Sequence, residues 1–197
     1  MLSLLVLISG GGSNLRALLE ATATGDYPAR VIAVGSDNHA EGLAHAEEFG
    51  IPVFVVEPGS FDSRDAWGRE LLARIEGYSP DLVVCAGFMR ILPPVVVAAL
   101  TPRLINTHPA LLPAFPGAHA VRDALAAGVE TTGVTVHVID EGVDTGPVIV
   151  QESVRVEPGD TEHDLHERIK TVERQLLVQA VRDIADGVVD LKETAAR

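Results

Sequence analysis

Short runs of apolar, β-branched residues alternate with amphipathic stretches along most of the chain. Residues 4–8 (Leu-Leu-Val-Leu-Ile) are apolar without interruption, the pattern of a strand buried on both faces, and residues 14–23 read as the helix after it. The same rhythm predicts strands over 31–34, 53–56, 82–86 and 104–106, with helices over 40–49, 64–75 and 94–100 between them. Strands separated by helical crossovers are the sequence form of a doubly wound parallel sheet.

After residue 130 the rhythm changes. Residues 131–139 alternate, with Thr132, Val134, Val136 and Val138 against Thr131, Gly133, Thr135 and His137, and 148–156 read as another strand. Gly142 and Gly146 lie in the loop between them, so this end of the sheet is expected to be antiparallel. That makes seven strands, mostly parallel. A long C-terminal helix is expected from Asp160 or Thr161, where Thr161-x-x-Asp164 has the form of a capping box, to near Gly187. Its apolar stripe reads Leu165, Ile169, Val172, Leu176, Ala180 and Ile184. At about 100° per residue, Glu173 falls in the middle of that stripe. Its carboxylate either covers the core with its head in water, forms an internal ion pair, or faces a ligand hydroxyl or amine. His163 and His166, flanked by Glu162 and Glu167, read as a solvated helix face. With no repeat, low-complexity tract or linker, residues 1–197 are expected to form a single α/β domain.

Composition narrows the partners. Hydrophobic residues make up 47% of the chain and aromatics 4%, so the core is mainly Val, Leu, Ile and Ala. The formal charge of -13 is spread along the chain with no basic patch, which argues against nucleic acid as a partner. The one cysteine, Cys85, lies inside an apolar strand and reads as a buried core residue, in keeping with a reducing, cytoplasmic setting. No basic segment precedes residues 4–8 as in a secretory leader, and no apolar run approaches a membrane span.

Three segments carry candidate chemistry. The first strand ends in Ser9-Gly10-Gly11-Gly12-Ser13-Asn14, and a helix starts at once. Such a turn brings backbone N–H groups and the positive end of a helix dipole close to an anion, unless Ser13 or Asn14 serves only as a cap. Leu15 stands where a dinucleotide fingerprint needs its third glycine, so a monophosphate suits the loop better. Asn106 and His108 follow a buried strand. Being two apart on extended backbone, they point the same way, which places an amide donor beside an imidazole as acyl transfer through an oxyanion requires. An Asn and a His satisfying loop backbone is the plainer alternative. Asp144, flanked by Gly142 and Gly146, is either a turn former or a carboxylate that orients His108 and holds it protonated.

The segments Gly12-Ser13-Asn14-Leu15, Phe61-Asp62-Ser63-Arg64 and Ala86-Gly87-Phe88-Met89-Arg90-Ile91-Leu92 occur in the order seen in one family. So do Ile105-Asn106-Thr107-His108-Pro109-Ala110-Leu111-Leu112-Pro113, Gly133-Val134-Thr135-Val136-His137 and Asp144-x-Gly146-Pro147. Over nearly its whole length the chain resembles the glycinamide ribonucleotide formyltransferases, folate-dependent enzymes of the purine pathway. The resemblance implies a Rossmann-like formyltransferase fold and transfer of a formyl group from 10-formyltetrahydrofolate, as co-substrate, to the amine of glycinamide ribonucleotide, without a metal. It implies that Asn106, His108 and Asp144 are catalytic, and that Gly11, Gly12, Ser13, Asn14 and Glu173 hold the phosphate and ribose. It implies a folate pocket formed by Arg64, Met89, Arg90, Ile91, Leu92, Asn106, Glu141 and Asp144, and a cis bond between Leu112 and Pro113. A homodimer is compatible with it.

The chain departs from many relatives after Glu173, where Arg174-Gln175-Leu176-Leu177-Val178 replaces a His and an aromatic-Pro pair. Gly11 stands where some relatives carry Asn. Two sister families share the Asn, His and Asp set. Methionyl-tRNA formyltransferases add a basic C-terminal RNA-binding domain, and formyltetrahydrofolate deformylases carry a regulatory domain before the catalytic one; neither is expected here. A non-catalytic folate or nucleotide binder on this fold is expected to lack one of Asn106, His108 and Asp144, and all three are present.

Overall fold

The computed structural model describes residues 1–196. Along them run β1 (Leu2–Ile8), α1 (Ser13–Ala23), β2 (Ala29–Ser36), α2 (Leu43–Glu48), β3 (Val53–Val55), α3 (Arg64–Gly77) and β4 (Leu82–Cys85). Then come α4 (Pro94–Leu100), β5 (Leu104–His108), α5 (Ala120–Ala126), β6 (Thr131–Val138), β7 (Val148–Arg155), α6 (Glu162–Ala185) and α7 (Leu191–Ala195). The strands form one seven-stranded sheet in the order β3-β2-β1-β4-β5-β6-β7. The first five in chain order pair in parallel, while β6 runs antiparallel to both β5 and β7.

The unbroken apolar run of β1 has a direct structural counterpart. Leu4, Val6 and Ile8 pack on one face with Leu15 and Leu18 of α1 and Leu177 and Val181 of α6. Leu5 and Leu7 pack on the other face with Trp67 and Leu71 of α3 and Val96 and Leu100 of α4. Each such side chain stabilises the fold by about 1.5–3 kcal/mol on burial, and a strand apolar on both sides is stable only between two helical layers. From β1 the chain winds outward through β2 and β3; from β4 it winds the other way through β5. The loops leaving β1 and β4 therefore diverge and open a crevice at the carboxyl ends of the strands, the usual ligand position in such sheets.

Some boundaries differ from the expectations. The helix expected over 40–49 is only Leu43–Glu48, because the chain turns at Ala40–Gly42 so that the Gly42 N–H donates to the Gly10 carbonyl (3.0 Å). The short helices α5 and α7 were not expected. The latter is started by Asp190, whose side chain accepts from the N–H groups of Lys192 and Glu193. Strand β5 continues through His108 rather than ending at Asn106. The capping box of Thr161 and Asp164 is present, but the buried line of α6 runs through Leu165, Ile169, Glu173, Leu177, Ala180 and Val181. It is thus rotated from the expected stripe, with Leu176 and Ile184 at its margin and Glu173 inside it. No helix of the described residues is long and apolar enough to cross a membrane.

Candidate active site

The loops leaving β1, β2 and β4 are tied together at the crevice. The Ser9 hydroxyl accepts from the Met89 N–H (2.8 Å) and the Ser9 N–H donates to the Gly87 carbonyl (3.1 Å). Asn38 Nδ2 donates to the Ser9 carbonyl (3.0 Å), and Arg90 Nε pairs with the buried Asp37 carboxylate (2.6 Å). Asp37 is therefore a partner for Arg90 in the structure. Between these loops, Gly12 caps α1 with φ 70° and ψ 30°, and no side chain caps the helix. A Cβ at Gly12 would lie 2.9 Å from Gly42 Cα, whereas one at Gly11 would meet nothing. Gly12 is needed by the fold itself; Gly11 faces open space in front of the helix. Ser13 and Asn14 form the first turn, with Asn14 buried and its Oδ1 without a hydrogen-bond partner among the described residues.

Strand β5 supplies three side chains in alternation. Asn106 and His108 point to the face of α3 and α4, as their spacing implies, and Thr107 points to the face of α1 and α6. His108 lies 3.4 Å through Nδ1 from Asp144 Oδ2, and its Nε2 lies 2.8 Å from the Phe115 carbonyl. A carbonyl only accepts, so Nε2 donates to Phe115, while Nδ1 faces the Asp144 carboxylate at ion-pair distance. Asp144 Oδ2 also accepts from the Gly117 N–H (2.7 Å). Asp144 and Phe115 both have φ 54°, left-handed backbone that costs about 1–2 kcal/mol in a residue with a Cβ. Gly146 lets the Asp144 loop pack directly on the Val138 carbonyl, where any Cβ would collide.

His137 completes the group, a residue that the sequence pattern places on a strand face without marking it as part of the site. It stands opposite Asn106 in the β5/β6 register, with its Nε2 3.2 Å from Asn106 Nδ2 and its Nδ1 3.0 Å from the Val138 carbonyl. A carbonyl only accepts, so Nδ1 carries the proton and Nε2 accepts from the Asn106 amide. Burial lowers the His137 pKa, favouring this uncharged form. The amide of Asn106 is thereby oriented, leaving its second N–H free. The alternation over 131–139 gave the facing of His137, but its partner depended on a strand pairing that sequence pattern does not specify.

A cleft of about 420 Å³ opens beside these residues, lined among others by Met89, Arg90, Ile91, Leu92, Glu141 and Asp144. Met89 and Ile91 are 73% and 60% exposed, an apolar rim open to a flat ring system. Arg64 lies in an adjoining cleft of about 570 Å³ and donates to the carbonyls of Ile91 (2.8 Å) and Leu92 (3.2 Å). The expected contact of Arg64 is thus with the pocket's wall, because its guanidinium satisfies carbonyls that the turn before α4 leaves unpaired. Cys85 lies at the cleft's base, but burial pushes its thiol up to about 12, so it is no nucleophile. On the opposite face of the sheet, Glu173 is 7% exposed and its Oε1 accepts from the Thr107 hydroxyl (2.9 Å). Its Oε2 has no partner among the described residues. The Leu112–Pro113 bond is cis, as is Thr101–Pro102.

Known proteins are similar to this chain in sequence and fold. Residues 2–181 match the model of the family described as formyl transferase. Phosphoribosylglycinamide formyltransferase of Mycobacterium tuberculosis is 54% identical over 193 residues, which cover 98% of this chain and 89% of that one. The Escherichia coli enzyme of the same name is 43% identical over 99% of this chain and 92% of its own length. Among solved structures, glycinamide ribonucleotide transformylase 1 from Symbiobacterium toebii superimposes with a TM-score of 0.92 at 42% identity, covering 95% of this chain and 89% of that one. With a family match over nearly its full length and such relatives, this chain belongs to the formyl transferase family.

Proposed function

We propose that this protein transfers the formyl group of 10-formyltetrahydrofolate to the amine of glycinamide ribonucleotide, giving formylglycinamide ribonucleotide and tetrahydrofolate, and that residues 1–197 act as one catalytic domain. The observation that carries the reading is the meeting of two half-sites at the end of β5. The folate enters the cleft on the face of α3 and α4, its ring between the apolar rim and the loop of Glu141 and Asp144. The ribonucleotide lies on the face of α1, its phosphate against Gly11, Gly12, Ser13 and Asn14 and its ribose near the free oxygen of Glu173. Adjacent residues of one strand then serve both substrates, since Thr107 holds Glu173 while Asn106 and His108 face the formyl group.

In the reaction, the amine nitrogen bonds to the formyl carbon and the carbonyl electron pair moves to oxygen. The free N–H of Asn106 and the protonated His108 stabilise that oxyanion; a single preorganised donor is worth about two to three orders of magnitude in rate. Asp144 aligns the His108 ring and lies close enough to take the amine proton through water. The carbonyl re-forms as the carbon–nitrogen bond to the folate breaks, with His108 supplying a proton to the departing nitrogen. Polarisation by Asn106 and His108 gives this route no step that calls for a metal. Purified protein given both substrates is expected to form equimolar formylglycinamide ribonucleotide and tetrahydrofolate. Formyl release to water alone, or transfer to methionyl-tRNA instead, would overturn the assignment.

A further inference from the structure

The Gly11–Gly12 peptide has glycine on both sides, the residue type least able to hold a peptide plane, because glycine rotates about as readily into left-handed as right-handed backbone. Its carbonyl is nevertheless held. His45 on α2 places Nε2 3.2 Å from the Gly11 oxygen, and Arg16 NH1 lies 3.3 Å from His45 Nδ1. Arginine only donates and a carbonyl only accepts, so the ring satisfying both has its proton on Nε2 and its lone pair on Nδ1. Arg16 is itself fixed by Glu20 (2.8 Å) and Glu48 (3.0 Å). The neighbouring Gly10 carbonyl is held differently, by the backbone N–H of Gly42.

In a planar trans peptide the C=O and N–H point in opposite directions. Fixing the Gly11 carbonyl toward α2 therefore turns the Gly12 N–H away from α2. A flip of this plane would present the carbonyl, and repel an anion, where the N–H should be. We propose that His45 is a positioning residue for the ribonucleotide phosphate, acting by locking the Gly11–Gly12 peptide with its N–H donor toward the anion. The inference rests on the reading of residues 11–14 as the phosphate cradle. The bond is exposed and single, so its effect on affinity is on the order of three- to tenfold.

Three variants separate the possibilities. His45→Ala is expected to raise KM for glycinamide ribonucleotide about three- to tenfold, with kcat and KM for the folate changed less than twofold. His45→Gln, whose amide can donate to the same carbonyl, is expected to restore most of the loss, although it matches the imidazole neither in shape nor in its contact with Arg16. Gly11→Val adds a side chain where the protein leaves room, so a rise in its KM for the ribonucleotide reports on the cradle itself. If Gly11→Val raises that KM but His45→Ala does not, the locking role is wrong. Equal increases for both substrates in His45→Ala, or no recovery with Gln, would also overturn it as mere loosening of α2. An unaltered KM in Gly11→Val would remove the cradle and the inference with it.

Discussion

Replacing Thr107 with Val removes one hydroxyl while keeping the side chain's shape, and the loss reaches both stability and substrate binding. The Thr107 Oγ1 donates to Glu173 Oε1 at 2.9 Å between two buried residues, and no second hydrogen bond reaches this carboxylate among the described residues. A hydrogen bond to a charged acceptor contributes about 1.5–3 kcal/mol, and here its removal leaves the acceptor almost unpartnered. In a chain of this length each kcal/mol moves Tm by about 2–4 °C, so a fall of about 3–12 °C is expected. The carboxylate also loses the contact that aims its free oxygen, so KM for glycinamide ribonucleotide should rise several-fold while KM for the folate stays put. Differential scanning calorimetry and steady-state kinetics measure the two effects. A Tm within 1 °C of the parent together with an unaltered KM would show that Glu173 is held by something other than Thr107, and that the link between the two half-sites is not real.

Two further outcomes follow from the other side of the sheet. Asp144→Asn can keep the left-handed backbone and the bond from Gly117, since Asn tolerates both, but it loses the charge beside His108. Turnover is expected to fall about ten- to hundredfold at nearly unchanged Tm, and a parallel collapse of stability would make Asp144 a loop former only. His137 has its pKa lowered by burial, so the unfolded chain takes up this proton more readily than the folded one. Its contribution to stability is present above the ordinary value of 6.5 and is lost as pH falls below it. Urea unfolding of the parent and His137→Gln at pH 5 to 7 should show a shallower loss in the variant; identical pH slopes would contradict the assignment.

Features set by one local signal are legible in the sequence. The apolar runs specified the inner strands, Thr161 and Asp164 marked the start of α6, and the two-residue spacing put Asn106 and His108 on one face. Local pattern falls short where partners come from distant segments. The helical periodicity over 40–49 was cut short by the approach of Gly42 to Gly10, a contact no local pattern records. The buried line of α6 was read around Leu176 and Ile184, but the helix buries Leu177 and Val181 more deeply, a choice between adjacent apolar residues that helical periodicity alone does not decide. The role of His137 emerged only with the β5/β6 register, and that of Arg64 only once the carbonyls of Ile91 and Leu92 were seen to lie before it. Resemblance to a family pointed to many of these positions, yet the physical role of each depended on neighbours far along the chain.

The central claim is that the end of β5 stabilises an oxyanion formed during formyl transfer, and Asn106→Ala tests it most directly. The amide is held by His137 at 3.2 Å and contributes its remaining N–H to charge that develops after both substrates are bound. Single-turnover measurements with 10-formyltetrahydrofolate and glycinamide ribonucleotide should give a transfer rate lowered by roughly two to three orders of magnitude. Dissociation constants for both substrates should change no more than about threefold, because uniform binding does not use this donor. A transfer rate within a few-fold of the parent, or a loss confined to substrate affinity, would contradict the account.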